Sequence, residues 1–317
     1  MKDVWSQVKL KGKPERVVET TTKPDVTPVA PPTPVQVVEE LEASCWTCPV
    51  CRLPLHTNGR NFQCNKRHSF DKAKEGYTNL LLSNKKNSAE PGDSKDMLVG
   101  RRAFLERGFY DPMADKLAEL IQQTFPDNKA LNILDAGCGE GYYLGRLSEQ
   151  LAVDHQFMGI DISRAAMRMA GKRYKAMQFA VASSYELPVA DKSVDVLLRV
   201  FAPVSDEEVA RVLKPGGLYL WVHPGEQHLF ELRAHIYDQP QPHTVADDKL
   251  KTESLAWQST EVVKYPLHLP DSDAVKGLLS MTPYYWAASK EKQAACEALP
   301  ELSLMADFRV SVLRKVG

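Results

Sequence analysis

Three glycines spaced two apart follow an aspartate in the segment Asp135-Ala-Gly-Cys-Gly-Glu-Gly-Tyr142. The apolar residues Ile133 and Leu134, which precede the aspartate, are typical of the end of a buried strand. Glycine lets the backbone of a tight strand-to-helix turn come close to a ligand. The segment therefore predicts a ligand-binding turn at the carboxyl end of a strand.

The chemistry of this turn favours S-adenosylmethionine (SAM) over a dinucleotide. Dinucleotide-binding turns have the spacing G-x-G-x-x-G, which presents bare backbone amides to a pyrophosphate. This turn has the spacing G-x-G-x-G, and a carboxylate such as Asp135 suits the cationic methionine end of SAM. A second expected strand, residues 157–161, ends at Asp161, 20 residues beyond Gly141, where an acid would hold a ribose diol. A glycine-rich turn in another kind of α/β protein is the alternative.

A second group of residues has the spacing C-x2-C-x12-C-x3-H and consists of Cys48, Cys51, Cys64 and His68. Two pairs of soft ligands about a dozen residues apart are typical of a tetrahedral zinc site. The Asn58-Gly59 pair between them is a hairpin turn signal. Because four protein ligands leave no open coordination position, the predicted metal is structural.

Cys45 complicates this ligand set, because Cys45, Cys48 and Cys51 form a series at intervals of three. We predict Cys48 and Cys51 as ligands because this choice keeps the hairpin compact, although Cys45 could substitute in vitro. A redox C-x-x-C motif is the competing interpretation, but it would leave Cys64 and His68 unexplained. So small a segment has little core, so the metal would supply much of its folding free energy.

Charge is segregated along the chain of 317 residues, although the formal net charge is only −1. Residues 45–110 contain 12 Lys and Arg but only six Asp and Glu. The rest of the chain contains 28 Lys and Arg and 35 Asp and Glu. This pattern favours a polyanionic partner for the basic segment, with a solvated lysine-rich face as the alternative. Arg101 and Arg102, in an expected helix over residues 97–108, would hold phosphates or pair within a domain junction.

Cysteine usage and hydropathy indicate a cytoplasmic protein with no membrane partner. Three of the six cysteines lie within 17 residues, which does not resemble a secreted disulfide framework in a chain of this length. The sequence contains no apolar run near the roughly 20 residues that a membrane span requires.

The remaining sequence alternates expected strands and helices, as in a parallel sheet. Ser163 would cap a helix that follows Asp161. Ser183, at the end of the next strand, would meet an adenine or cap the following turn. An aromatic group over residues 281–286 would stack a flipped guanine or belong to the core. Later strands are expected at residues 193–203, 218–222, 262–269 and 308–313.

Several motifs together resemble the bacterial 23S rRNA (guanine-N1)-methyltransferases of the RlmA type. The resemblance covers about residues 46–317 and rests on the zinc spacing, on the turn at residues 135–143, and on the segments 70–81, 91–94, 101–105 and 108–110. It implies a class I SAM-dependent methyltransferase domain, α/β and Rossmann-like, with a small N-terminal zinc-binding domain. It also implies a hairpin loop of 23S rRNA as the substrate.

The resemblance adds two residues to the expected SAM site. It implies that Tyr110 and His228 contact SAM, whereas the sequence alone would place Tyr110 in the core and His228 at a helix start or on the surface. The complete predicted set is Tyr110, Asp135, Gly137, Gly139, Glu140, Gly141, Tyr142, Asp161, Ser183 and His228.

The segment Arg199-Val-Phe-Ala-Pro203 would face the substrate base. Guanine N1 gains a free lone pair only after deprotonation, so the reaction needs a base or a water path and a donor near O6. The candidate contacts are Arg199, Phe201 and Pro203, although Arg199 could equally pair within the sheet. The segment lacks the Asn/Asp-Pro-Pro-aromatic pattern of amino-group methylation, and Val204 stands where a Pro-Cys nucleophile would be. The sequence does not identify the general base.

We predict four parts of the chain. Residues 1–44, which contain six prolines, form a disordered tail. Residues 45–84 form the zinc-binding RNA-recognition domain, residues 85–112 a basic linker and helix, and residues 113–317 the SAM-binding domain. The alternatives to rRNA methylation are a methyltransferase acting on a small molecule, and a zinc-dependent RNA-binding or assembly factor that retains SAM. A homodimer would lengthen the RNA-binding surface.

Overall fold

The computed structural model describes residues 42–85, 92–127, 129–243 and 252–317. Most of the predicted tail lies outside the described residues, but its last three residues, 42–44, begin the first strand. None of the described helices is long and apolar enough to cross a membrane.

A small antiparallel sheet contains the zinc motif. Its strands follow chain order: β1 (Glu42–Thr47), β2 (Pro54–Thr57), β3 (Asn61–Gln63) and β4 (Ser69–Asp71). The predicted turn joins β2 to β3, and there the Asn58 side chain accepts hydrogen bonds from the amides of Arg60 and Asn61 at 3.0 and 3.1 Å. Gly59 has a φ of 85°, a conformation that favours glycine. The predicted hairpin is confirmed.

The second sheet has eight strands in the order β11-β12-β10-β9-β6-β7-β8-β5. Neighbours from β10 to β5 are parallel, and β12 and β11 add antiparallel pairs at the other edge. This is the predicted α/β methyltransferase fold. The strands are β5 (Tyr77–Asn79), β6 (Asn132–Ala136), β7 (Gln156–Asp161), β8 (Gln178–Val181), β9 (Val194–Val200), β10 (Leu213–Pro224), β11 (Leu255–Leu269) and β12 (Leu302–Lys315).

Helices connect the parallel strands and cover the sheet. Ser163 caps its helix as predicted, since its side chain accepts a hydrogen bond from the amide of Ala166. The described helices are α1 (Lys95–Leu105), α2 (Asp111–Thr124), α3 (Tyr142–Gln150), α4 (Arg164–Arg173), α5 (Asp206–Val212), α6 (Phe230–Ile236), α7 (Ser272–Ser280), α8 (Pro283–Ala287) and α9 (Lys290–Glu297).

The stretch predicted as the zinc-binding domain, residues 45–84, contains β5, which belongs to the large sheet. Tyr77 and Thr78 are buried and pair in parallel with Phe179 and Ala180 of β8. A bridge between Lys72 and Thr78 also joins β5 to the end of β4. The segment that follows the zinc motif is therefore part of the methyltransferase sheet.

The zinc-binding sheet and the large sheet share one hydrophobic core. Trp46 of β1 is 1% exposed and lies in the same apolar cluster as Leu187 and Val189. The amide of Thr47 donates to the carbonyl of Pro188 at 2.8 Å, and Trp46 forms an antiparallel bridge with Val189. The zinc module is thus built onto the segment that follows β8.

The arginines of α1 pair with acids of the protein. Arg101 contacts Asp93 at 2.5 Å, and Arg102 lies 3.7 Å from Glu106. Just beyond the end of α1, the guanidinium of Arg107 makes two hydrogen bonds to Asp271, at 2.8 and 2.7 Å. Of the two roles considered for Arg101 and Arg102, the structure favours pairing within the junction over phosphate binding.

The substitution Gly171→Ala should destabilise the attachment of β5. A Cβ at Gly171 would lie 2.8 Å from the carbonyl oxygen of Glu75 and 3.1 Å from the amide nitrogen of Tyr77. Alanine favours a helix by about 1 kcal/mol over glycine, but overpacking against backbone costs about 1–3 kcal/mol. We expect a net loss of about 1 kcal/mol in the free energy of unfolding, measured by urea denaturation.

The exposed neighbour variant Lys172→Ala is the control and should change stability by less than about 0.5 kcal/mol. Equal or higher stability of Gly171→Ala would show that β5 is not held as the structure describes.

Candidate functional site

A cavity of about 610 Å³ opens at the carboxyl edge of the large sheet. Its walls come from the glycine turn after β6, the ends of β7, β8 and β9, the segment before α6, and the turn between α7 and α8. The predicted site residues that line it are Tyr110, Gly137, Gly139, Glu140, Tyr142, Asp161, Ser183, Phe201, Pro203 and His228. The predicted residues Asp135, Gly141 and Arg199 lie outside this lining.

The glycine turn is compact because another loop packs directly against it. Gly137 has a φ of 94°, and a Cβ there would lie 2.4 Å from the Cβ of Ala202. The amides of Gly137 and Cys138 both donate to the carbonyl of Ile160 at 2.9 Å. A side chain at Gly137 would therefore displace the loop that follows β9.

Asp161 ties the glycine turn to the end of β7. Its carboxylate accepts hydrogen bonds from the amide of Gly139 at 3.0 Å and from the amide of Ser163 at 2.7 Å. Burial raises the pKa of Asp161, and the two amides act against that rise. A carboxylate has about four acceptor positions, so Asp161 retains the capacity to bind a diol.

Asp135 is fully buried behind the turn, and neither carboxylate oxygen has a hydrogen-bond partner among the described residues. Burial and the nearby carboxyl groups of Asp161 and Glu140 raise the pKa of Asp135 to about 8. A buried acid without a partner is costly unless a cation or a donor compensates it. Without a ligand this carboxyl therefore holds a proton, and a cationic ligand in the adjacent cavity would favour its ionised form.

Tyr110 and His228 belong to an aromatic group on the opposite wall. Tyr110 is 1% exposed, and its ring meets that of Phe308 edge-on at 4.9 Å. The ring of His228 stacks on Phe201 at 5.7 Å, and its Nδ1 accepts a hydrogen bond from the amide of Asp307 at 3.3 Å. Burial lowers the pKa of His228 to about 3, so the imidazole is neutral and its Nε2–H is a donor. Tyr110 is both a core residue and a cavity residue.

Arg199 makes its contacts within the protein and lies outside the lining of the cavity. Its Nε donates to the carbonyl of Ala202 at 2.7 Å, and its guanidinium lies 4.4 Å from the ring centre of Trp221. Its Nη1 lies 3.7 Å from Asp206, so the pairing within the sheet that the sequence left open is the observed one. Arg199 instead supports the loop in which Phe201, with a φ of 51°, faces the cavity.

The sequence did not identify every residue at this site. Arg101 lines the cavity, and its Nη1 would lie 3.1 Å from a Cβ on Gly139. Met281, Thr282 and Pro283 also line it, so the start of the segment that the sequence offered for base stacking reaches the cavity. The place of Arg101 beside the glycine turn had no local signal, because the two are distant along the chain.

The four predicted zinc ligands lie together, with their ligand atoms all within 4.8 Å of one another. The Sγ atoms of Cys51 and Cys64 are 3.7 Å apart, and the Nδ1 of His68 is 3.4 Å from the Sγ atoms of both Cys48 and Cys64. Tetrahedral zinc bonded to sulfur at about 2.3 Å and nitrogen at about 2.0 Å requires separations of roughly 3.5–3.8 Å. The cluster therefore fits zinc, and Cys45 is outside it.

His68→Ala should lower the zinc content of the purified protein well below one ion per chain, because three ligands hold zinc more weakly and leave an open position. Metal analysis by mass spectrometry measures the ratio. His56→Ala and Cys45→Ala are matched controls outside the cluster and should keep a full complement. Loss of zinc in Cys45→Ala, or its retention in His68→Ala, would contradict the ligand assignment.

Asp135→Asn should flatten part of the pH dependence of stability. With a pKa of about 8 in the folded protein, Asp135 holds a proton that the unfolded chain releases near its ordinary value. The free energy of unfolding should therefore fall as pH rises between about pH 5 and about pH 8. Asparagine cannot titrate, so the variant should lack this slope in urea denaturation. The same slope in both proteins would rule out the raised pKa.

Two family models match the chain. The zinc-ribbon model described as "RlmA, N-terminal" matches residues 46–89, and the model described as "Methyltransferase domain" matches residues 133–217. The first covers the metal cluster and β5, and the second runs from the glycine turn to the start of β10.

Three relatives match most of the chain. A putative 23S rRNA (guanine-N(1)-)-methyltransferase, YxjB, from Bacillus subtilis is 32% identical over 86% of this chain and 98% of the relative. The 23S rRNA (guanine(748)-N(1))-methyltransferase of Streptomyces fradiae is 32% identical over 78% of this chain and 88% of the relative. A putative 23S rRNA (guanine-N(1)-)-methyltransferase of Micromonospora griseorubida is 32% identical over 75% and 86%. With this coverage and the zinc-ribbon match, the chain belongs to the RlmA-type family of 23S rRNA (guanine-N1)-methyltransferases.

Proposed function

We propose that this protein transfers a methyl group from SAM to N1 of a guanine in a hairpin loop of 23S rRNA. The observation that carries the proposal is the form of the cavity. One wall has the glycine turn and the acids that suit SAM, and the other has apolar and aromatic residues that suit a base. The zinc module shares a core with the same body and supplies a basic surface beside it.

The SAM side of the cavity consists of the glycine turn and the ends of β7 and β8. Asp161 would bind the ribose hydroxyls, and Ser183 lies where the adenine would follow. The buried carboxyl of Asp135 would favour the positive charge at the methionine end through the turn. SAM supplies an electrophilic methyl group on a cationic sulfur.

The base side consists of Phe201, Pro203, Pro224, His228 and the residues 281–283. Phe201 is 45% exposed at the cavity, so a guanine turned out of its loop would find an aromatic face there. The positive φ of Phe201 and the support from Arg199 fix this face. A rigid wall aligns N1 with the methyl group, which supplies much of the rate gain for in-line transfer.

The RNA-binding surface should lie on the β3–β4 hairpin and just beyond it. Five basic side chains there are exposed and make no ion pair with the residues that the structure describes: Arg60, Lys66, Arg67, Lys72 and Lys74. Arg60 and Lys72 are neighbours across the hairpin, since the amide of Lys72 donates to the carbonyl of Arg60. The arginines of α1, in contrast, are already paired with acids. This surface favours RNA over a small molecule as the substrate.

The proposed substrate carries two further expectations. An enzyme of 23S rRNA would act in the cytoplasm, and a homodimer would place two basic hairpins on one RNA. Sedimentation of the purified protein with and without RNA tests the second expectation, since a monomer in both samples would exclude it.

Nucleoside mass spectrometry tests the proposed reaction. Protein-free 23S rRNA is incubated with the enzyme and SAM that carries a labelled methyl group, and the product is mapped by primer extension. We expect labelled N1-methylguanosine at one hairpin loop. Label in another nucleoside, or SAM binding without label in naked rRNA or in ribosome assembly intermediates, would contradict the proposal.

The double variant Arg67→Glu/Lys72→Glu should weaken RNA binding without weakening SAM binding. If both side chains contact phosphates, the affinity for the hairpin should fall at least tenfold. A plot of the logarithm of this affinity against the logarithm of the salt concentration should also become less steep, by about two units of slope. Fluorescence anisotropy measures both. Lys264→Glu, on β11 at the far edge of the large sheet, is the control for charge alone. Equal losses in the two proteins would place the RNA elsewhere.

A further inference from the structure

A second cavity, of about 270 Å³, lies between the zinc module and the large sheet. One side is formed by Pro49 and Arg52 of the zinc-binding loop, and another by residues 80–82 and Lys85, which follow β5. The third side is the segment 182–188 after β8. We call this space the interdomain cleft.

The interdomain cleft borders the main cavity. Ala182, Ser183 and Tyr185 line both spaces. A ligand that enters the main cavity from the side of the zinc module would therefore pass the ring of Tyr185. This ring is 63% exposed, the largest exposed fraction among the large apolar side chains of the described residues.

The loop that carries Tyr185 is held on several sides. The amide of Tyr185 donates to the Oγ of Ser183 at 3.2 Å, and the hydroxyl of Ser184 donates to the carbonyl of Pro203 at 2.5 Å. The amide of Leu187 donates to the carboxylate of Glu208 at 2.6 Å. The exposed ring therefore stands on a fixed backbone, and a ligand that stacks on it would not have to order the loop.

The floor of the interdomain cleft carries an excess of positive charge. Arg52 lies 2.7 Å and Lys85 3.1 Å from the two carboxylate oxygens of Glu186. One carboxylate between two cations leaves about one unit of positive charge, and both cations are partly exposed. An exposed ring beside a cationic floor matches a nucleotide, which has a base to stack and a phosphate to pair.

We propose that the interdomain cleft binds one unpaired nucleotide of the RNA loop, adjacent to the guanine that enters the main cavity. Its base would stack on Tyr185, and its phosphate would face Arg52 and Lys85. This inference rests on the proposed function, since it assumes an RNA substrate. It assigns the cleft a role in selecting and holding the loop, separate from methyl transfer.

The volume of the interdomain cleft and its place beside the main cavity indicate what it would hold. A space of about 270 Å³ suits one nucleotide and not a base-paired segment. Because the cleft borders the main cavity at Ser183 and Tyr185, its occupant must be a near neighbour of the flipped base. Arg52 also belongs to the zinc-binding loop, so the cleft lies between the basic hairpin and the site of methyl transfer.

The test compares Tyr185→Ala and Tyr185→Phe with the wild-type enzyme on a hairpin RNA from 23S rRNA. Loss of one base–aromatic stack costs about 1–3 kcal/mol, a factor of about 5 to 150, so the Kd and KM for RNA should rise at least about fivefold in Tyr185→Ala. Tyr185→Phe keeps the ring and should stay within about twofold of wild type. The Kd for SAM should be unchanged in both variants. Tyr237→Ala removes a 43% exposed aromatic outside both cavities and is the matched control.

Cross-linking gives an independent readout. With 5-iodouridine on either side of the target guanine, irradiation of the wild-type complex should yield a cross-linked peptide that contains Tyr185. An RNA affinity of Tyr185→Ala equal to that of wild type would overturn the inference. So would an equal rise in the Kd for SAM, because Tyr185 would then serve the adenine.

Failure of the proposed function is a distinct result. It would appear as an absence of N1-methylguanosine with the wild-type enzyme, whatever the affinity of Tyr185→Ala for RNA.

Discussion

The contact between the zinc module and the segment 186–190 determines how the two parts of this protein work together. Trp46 and Thr47 of β1 bridge to this segment through backbone hydrogen bonds and a shared apolar core. Arg52 adds hydrogen bonds to the side chain of Glu186 and the carbonyl of Leu187. Burial of a side chain as large as that of Trp46 contributes several kcal/mol, far more than a surface ion pair. A zinc ion held by Cys48 and Cys51 would order the loop that follows this strand and carries Arg52.

The position of this contact gives it a functional consequence. The segment directly follows Ser183, on the proposed SAM side of the main cavity, and Tyr185, at the border with the interdomain cleft. A zinc module attached by a flexible linker would bind RNA independently of the cofactor. Here the zinc-binding loop packs against the segment that directly follows the proposed SAM wall. The zinc-binding part and the methyltransferase part are therefore joined by packing as well as by the chain.

The spacing of residues along the chain predicted those features that depend on near neighbours in the sequence. The four zinc ligands, the hairpin turn at Asn58 and the glycine turn follow from interactions within about 20 residues, and the structure places them as expected. Pairings between distant segments could not be predicted in this way. From the sequence, Arg199 could contact the substrate or pair within the sheet. Only the fold places the ring of Trp221 beside its guanidinium. Similarly, β5 joins the large sheet because β8 offers a free edge, which the sequence of β5 does not reveal.

The most direct measurement is hydrogen–deuterium exchange of the backbone amides with zinc bound and after its removal by a chelator. If the metal orders the SAM wall through Trp46, Thr47 and Arg52, then loss of zinc should speed exchange in residues 182–190 as well as in residues 45–71. Faster exchange confined to residues 45–71 would contradict this coupling. The zinc module would then be an appendage, and its link to the catalytic body would lie in the bound RNA alone.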